Sequence, residues 1–338
     1  MTEQATVSAD TAVDRDRPWQ HVWSGVSYRN IGAVYVWIVL IIIFTAWKYS
    51  LFWHVQTAKT VLNQYSITGL AALSIVVPLA SGIFDLSIGS TMGLAGVGAG
   101  WLFQHTSWNP AFVFILVLLG SVVVGLFNSL VVVLLRIDSF IGTLATGAVL
   151  GAITLGVSGD QTFTARINGG FSRTASASWG GIQIPVLYMF VLLVVLGYFL
   201  EQTTSGRYCY ASGYNAEVAR LVGVRVGRLR TLSLVISATM AGFAGLILTA
   251  QIQAADPTNG PSYLIPAFSA AFLGATQFRH GRFNPWGVIV AVLMLGTGSV
   301  GLLLAGSPTW APQIFQGAVL IAAVGVTVVQ VRNRRSTA

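Results

Sequence analysis

Charged side chains are scarce in this chain: Asp, Glu, Lys and Arg make up 8% of its 338 residues, against 54% hydrophobic ones. Soluble domains carry about a quarter charged residues, which excludes a water-soluble globular fold and leaves an integral membrane protein. Cysteine is nearly absent, and the single Cys209 has no partner for an intrachain disulfide and cannot build a thiolate metal cluster. His21, His54, His105 and His280 are scattered, with no HExxH or other ligand spacing, so no metal is expected. Lysine occurs only at Lys48 and Lys59, neither behind a glycine-rich lead, and no GxxxxGK[ST] exists. The chain therefore cannot hold ATP by a Walker loop of its own, and no cofactor is expected on it.

Apolar sequence fills the chain instead. Residues 1–30 are polar, with Asp10, Asp14, Arg15, Asp16 and Arg17, and read as a disordered cytoplasmic tail whose Trp19 and Trp23 meet the membrane interface. The first apolar run begins near Ile31, which argues against a cleavable signal peptide and makes Ile31–Trp47 a membrane helix. Further spans are expected near 61–80, 88–104, 111–135, 140–158, 184–200, 231–253, 263–278, 286–305 and 312–331. Each holds roughly the 17 to 25 apolar residues a crossing needs, the one at 263–278 being short. The expected fold is an all-α polytopic membrane protein of about ten transmembrane helices with both ends on one side.

Positive charge then sets the orientation. The side with the termini receives Arg15, Arg17, Arg29, Arg136, the five arginines of 201–230, Arg279, Arg282, Arg332, Arg334 and Arg335, fourteen in all; the other receives Lys48, Lys59, Arg166 and Arg173. This asymmetry places both termini in the cytoplasm. Spans merged or split in pairs keep the same parity. The net charge of +8 thus follows topology, and no nucleic-acid partner is expected. The expected layout is a cytoplasmic tail at 1–30, a transmembrane domain at 31–331 and a cytoplasmic tail at 332–338. The longest external segment, about 158–183, carries Phe163, Phe171 and Trp179, which are expected either along the outer membrane surface or receiving a partner that delivers substrate, two compatible readings.

The longest strongly polar run after residue 30 is Glu201–Arg230. Asn215 can cap a short helix starting at Ala216, with Gly223 placed to end it. That helix would put Val218, Ala219, Leu221 and Val222 on overlapping apolar surface and pair Glu217 with Arg220. An amphipathic helix between spans rests either on lipid headgroups or on another protein, and a basic loop held in the cytoplasm by charge alone gives the same run. The pattern GRY-x-YA-x-G-x-N-x-x-x-AR-L-x-G-V-x-V, residues 206–226, resembles the cytoplasmic coupling segment of ribose-type (simple sugar) ABC importer permeases. With two further stretches the resemblance covers roughly residues 60–330. It implies that 201–230 is a coupling loop docking onto a separate ABC ATPase subunit through Asn215, Glu217, Ala219, Arg220, Leu221 and Gly223. It also implies a periplasmic or lipid-anchored solute-binding protein, and a second permease copy as homodimer or related heterodimer.

Inside the apolar sequence, Pro78, Gly82 and Gly89 bracket Ser81-Gly82-Ile83-Phe84-Asp85-Leu86-Ser87, which marks a broken or re-entrant helix near Gly82–Gly89. Asp85 is an ionisable group close to hydrocarbon. Either it contacts solute, or Asp85 or Ser87 caps the helix that follows. The run is similar to the family's G-[IF]-DLS-x-G motif; this chain reads SGIFDLSIG where GGIDLSVG is commoner, one residue more before the Asp. Leu135–Leu144, with Arg136 and Asp138 at the cytoplasmic boundary, is similar to the segment where the family turns back into the membrane. Thr143, Thr146 and Thr154 share a helix face and serve either a polyol or helix packing. Gln251 and Gln253 close the span at 231–253, and with Asp85, Ser87 and Thr143, Gln251 is a candidate for the translocation path. The turn Arg279-His280-Gly281-Arg282 resembles the family's GG-x-GR-G turn, with Gln277-Phe278-Arg279 replacing small and Gly residues. Whether this turn also touches the ATPase stays open.

These observations point to the transmembrane permease subunit of an importer, in the cytoplasmic (inner) membrane, with no catalytic chemistry of its own. The solute is small and polar, most simply a sugar on the resemblance. An ion-coupled secondary transporter is the alternative; it needs buried carboxylates, and Asp85 is the one candidate. Gly156-Val157-Ser158-Gly159 matches the GxSG of intramembrane serine proteases, but such a site needs a His at similar depth.

Overall fold

The computed structural model describes residues 32–164, 167, 169–278 and 281–335. The tail at 1–30, with Trp19, His21 and Trp23, lies outside the described residues, as do Arg166, Arg279, His280 and the last three residues. The described chain is helical almost throughout. Two two-residue strands, β1 (Ser178–Trp179) and β2 (Ile182–Gln183), form one antiparallel hairpin.

Helix α1 (Gly32–Phe52) is followed by α2 (Val55–Ser74) and α3 (Val76–Ala80), which run together across Ile75. Next come α4 (Ile88–His105), α5 (Pro110–Ser129), which runs on into a π-turn at Leu130–Leu134, and α6 (Ser139–Ser158). A short α7 (Gly170–Ser176) and the hairpin lead to α8 (Ile184–Gln202). Then follow α9 (Thr204–Tyr214), α10 (Ala216–Leu221) and the long α11 (Val226–Ile252). The chain ends with α12 (Leu264–Ala275), α13 (Pro285–Leu304) and α14 (Ala311–Arg335). Among the described residues, seven helices are long and apolar enough to cross a membrane: α1, α2 with α3, α5 with its π-turn, α6, α8, α11 and α13. The chain is an all-α polytopic membrane protein.

Local chemistry sets the helix starts. Asn109, Asp138 and Asn284 each accept a backbone N–H of the first turn, and Pro110 and Pro285 occupy first-turn positions where no N–H is needed. α11 is the central element, packed against α5, α4 and α2. Small residues allow this: a Cβ on Gly245 would collide with the Met92 backbone, and one on Gly125 would stand 2.6 Å from the Val235 Cα. Around this core α1, α5, α6 and α8 turn Ile42, Leu119, Val123, Leu144 and Val194 outward, as lipid-facing helices do.

The break between α3 and α4 falls at 81–87, with Gly82 at φ +75°. The segment at 158–183, expected outside the membrane, packs differently from expectation. Trp179 is 93% exposed, but Phe163 and Phe171 point inward and are buried. Phe171 meets the Phe103 ring at 4.9 Å, and Phe163 pairs by backbone with Ala255. Both rings find packing contacts on α4 that a position along the headgroups does not offer. Gly100, for instance, lies directly under Phe163.

Candidate functional site

The polar run folds as two helices at one end of the bundle. Thr203 caps α9 through Gly206 N–H. Asn215 Oδ1 accepts from Glu217 N–H at 3.0 Å and Val218 N–H at 3.1 Å, which starts α10. Past its end Gly223 takes φ +85°, Gly223 N–H donates to the Arg220 carbonyl and Val224 N–H to the Ala219 carbonyl, both at 3.0 Å. This pair of bonds is a Schellman closure, and its φ is why glycine stands there. Ala219 is buried, whereas Val218, Leu221 and Val222 are exposed, Leu221 by 87%. The helix thus holds its apolar side to the outside of the fold. Glu217 and Arg220 do not form the expected ion pair; Arg220 lies within electrostatic range of Arg230 instead. An exposed i,i+3 pair gains little in water, so a short helix does not hold it.

A cleft of about 780 Å³ opens beside α10, lined by Leu79, Ala80, Arg207, Tyr210, Val218, Ala219 and Val222, with Gly281, Arg282 and Phe283 completing the rim. The turn that supplies this rim is stitched by Asn284, whose Nδ2 donates to the carbonyls of Gly274, Gln277 and Arg282. Gln277, in place of a small residue, is buried and accepts the Ala33 N–H at 3.0 Å.

α9 reaches from this cleft to the broken helix. The Ser81 and Ser233 hydroxyls are 2.7 Å apart, and the buried Cys209 thiol joins them. Burial pushes the Cys209 thiol pKa above its ordinary value, and the two hydroxyls offset part of that. Gly213 packs against the backbone of Ala80 and Gly82.

Side chains from three helices hold the break itself. From α6, Ser139 Oγ accepts Phe84 N–H at 3.1 Å and Thr143 Oγ1 accepts Leu86 N–H at 2.9 Å. From α5, Asn128 Nδ2 donates to Ser87 Oγ at 2.7 Å. From α11, Ser237 lies beside Asp85. Asp85 Oδ1 accepts from Ser87 N–H at 3.1 Å and Ser87 Oγ at 2.6 Å, which closes the turn ahead of α4; Ser87 itself makes no side-chain cap. Asp85, Ser87 and Thr143 are fully buried in this conformation. Thr143, Thr146 and Thr154 donate to the carbonyls of Ser139, Gly142 and Leu150 in their own helix.

The structure therefore brings Asp85, Ser87 and Thr143 together and leaves Gln251 apart, at the far end of α11, where its Nε2 donates to Gln183 Oε1 at 2.6 Å. Ser158 Oγ donates to the Leu155 carbonyl and accepts Asp160 N–H, while His54 and His105 bond within their own turns. Neither histidine meets Ser158. Local sequence reading missed Ser139, Asn128, Ser233 and Ser237, because a lone Ser or Asn in an apolar span carries no periodic signal. Gly213 was in view only as one fixed glycine of a pattern.

A family model described as "branched-chain amino acid transport system / permease component" matches residues 57–324. The ribose import permease protein of Bacillus subtilis (strain 168) is 31% identical over 265 residues, covering 78% of this chain and 82% of that protein. The L-arabinose transport system permease protein of Escherichia coli (strain K12) is 31% identical over 261 residues, 77% of this chain and 78% of that protein. The autoinducer 2 import system permease protein of Photorhabdus laumondii is 28% identical over 267 residues, 78% and 80% of the two chains.

Proposed function

Since the chain belongs to the branched-chain amino acid transport system / permease component family, we propose as its function the permease subunit of an ATP-binding cassette importer for a sugar-class solute. It is a multi-pass protein of the cytoplasmic membrane and a transport component; its family is not an enzyme family. The sugar assignment follows the ribose and arabinose permeases above rather than the wording of the family model.

The finer layout is part of the proposal. Ten spans cross the membrane, the seven long ones together with α4, α12 and α14, and both termini face the cytoplasm. α12 has 12 residues; at about 1.5 Å per residue it reaches roughly 18 Å, so it crosses only with the turns at its ends. A separate ATPase docks on α10 and the cleft beside it. A solute-binding protein delivers solute from outside, and a second permease copy completes the path. The residues of 201–230 set the coupling, and Asp85, Ser87, Thr143 and Gln251 serve the path. Because the first three are buried, they act by holding or releasing the break. ATP binds the partner subunit.

The observation that carries this reading is α10: a helix closed at both ends whose Val218, Leu221 and Val222 face away from the fold. Apolar side chains clustered on the outside of a fold beside a cleft mark a surface that another one covers. Leu221→Glu tests it, since it places a charge on the exposed apolar face and leaves the buried side of α10 untouched. The variant is expected to insert normally, to lose the ATPase on purification of the tagged permease, and to lose substrate-stimulated ATP hydrolysis. A variant that keeps both would reduce the segment to a basic loop.

A further inference from the structure

The cleft beside α10 has two walls of different chemistry. Val218, Ala219 and Val222 with Leu79 and Ala80 form an apolar one. Arg207 and Arg282 stand on the other, and among the described residues no acidic side chain lines the cleft. Arg282 is held in place: its guanidinium carbon sits 4.5 Å from the centre of the Tyr210 ring, and the Tyr210 hydroxyl donates to the Phe283 carbonyl at 2.8 Å. A stacked guanidinium keeps its N–H edges free for a planar anion. Glu201 lines the smaller neighbouring cavity shared with Arg207 and Arg282, where it has contacts of its own, and leaves two cations against one carboxylate.

A protein that closed this cleft with apolar surface alone would strip water from two guanidinium groups and give nothing back, which is strongly unfavourable. We infer that the docked ATPase presents an acidic side chain to Arg207 and Arg282, beside an apolar side chain on the Val218 and Val222 wall. The docking surface is then composite, α10 on one side and the Gly281–Phe283 turn on the other, and the carboxylate sets the register of the helix in its groove. This inference rests on the importer reading above.

The test uses the tagged full-length permease purified from its own membranes, with retained ATPase as the readout at low and high salt. Arg282 is exposed, so Arg282→Glu, Arg282→Lys and Arg207→Ala leave the spans intact. Arg282→Glu is expected to lower the retained ATPase at low salt by on the order of tenfold or more. Arg282→Lys should fall between it and the parent, and the salt sensitivity of the parent should shrink in Arg207→Ala. Second-site revertants of Arg282→Glu should replace an acidic residue of the ATPase with a neutral or basic one. Arg282→Glu holding the ATPase at the parental level would overturn the inference. So would a loss confined to co-purified phosphatidylglycerol, which would make the arginines a lipid-headgroup site. Leu221→Glu in parallel separates the cases: if it releases the ATPase and Arg282→Glu does not, only this inference fails; if neither does, the importer reading fails with it.

Discussion

Gly213, in the last turn of α9, lies so close to Gly82 that a Cβ built on it would stand 3.0 Å from the Gly82 amide nitrogen, and it would also collide with the Ala80 carbonyl oxygen. The contact is backbone to backbone, with only Tyr214 between Gly213 and the Asn215 cap of α10. It joins the helix at the cleft to the broken helix in the bundle without an intervening side chain. Gly213→Ala is expected to overpack this contact by about 1–3 kcal/mol. It should leave ATPase retention near the parental level while lowering uptake in proteoliposomes. Unchanged uptake would show that the contact plays no part in coupling α10 to the break.

Asp85 holds its turn through one oxygen, which accepts both the N–H and the hydroxyl of Ser87. Asparagine retains that oxygen, so Asp85→Asn should assemble and transport at a large fraction of the parental rate. Asp85→Leu leaves a buried N–H without a partner, a loss of about 1–3 kcal/mol, and should assemble poorly. Full assembly of Asp85→Asn with no transport would instead assign the negative charge to the path.

Orientation is checked with single cysteines in a Cys209→Ser background. Ser212 is buried and makes a poor reporter, whereas Leu221 and Trp179 are 87% and 93% exposed. In intact cells an impermeant thiol reagent should label a cysteine replacing Trp179 and spare one replacing Leu221. The reverse result would invert the topology.

Cys209 itself reports on the fit of α9 against the break. Its thiol pKa is raised by burial, so the folded state holds the proton where an unfolded chain has begun to release it. Stability from this group is therefore complete below the ordinary thiol pKa and falls as pH rises through the folded value. Denaturant midpoints should drop on the alkaline side for the parent and drop less in Cys209→Ala. Maleimide at neutral pH should leave the folded protein unlabelled and react after unfolding; rapid labelling of the folded permease would mean that α9 does not sit on Ser81.

Composition and local order determined much of this protein. Nearly continuous apolar runs with few charges can only be membrane helices, because lipid satisfies no backbone group. Asn215 and Gly223 were legible as helix ends because a cap and its N–H groups lie within three residues of one another, and the same holds for the break at Gly82. What the folded chain decided lies between residues far apart in sequence. Ser81 meets Ser233, Gly213 meets Gly82, and Phe163 and Phe171 turn inward onto α4 rather than outward to the membrane surface. No periodicity encodes such pairs in an apolar span, where every face looks alike. Which serine or glycine finds a partner depends on where backbones approach closely enough to exclude a side chain.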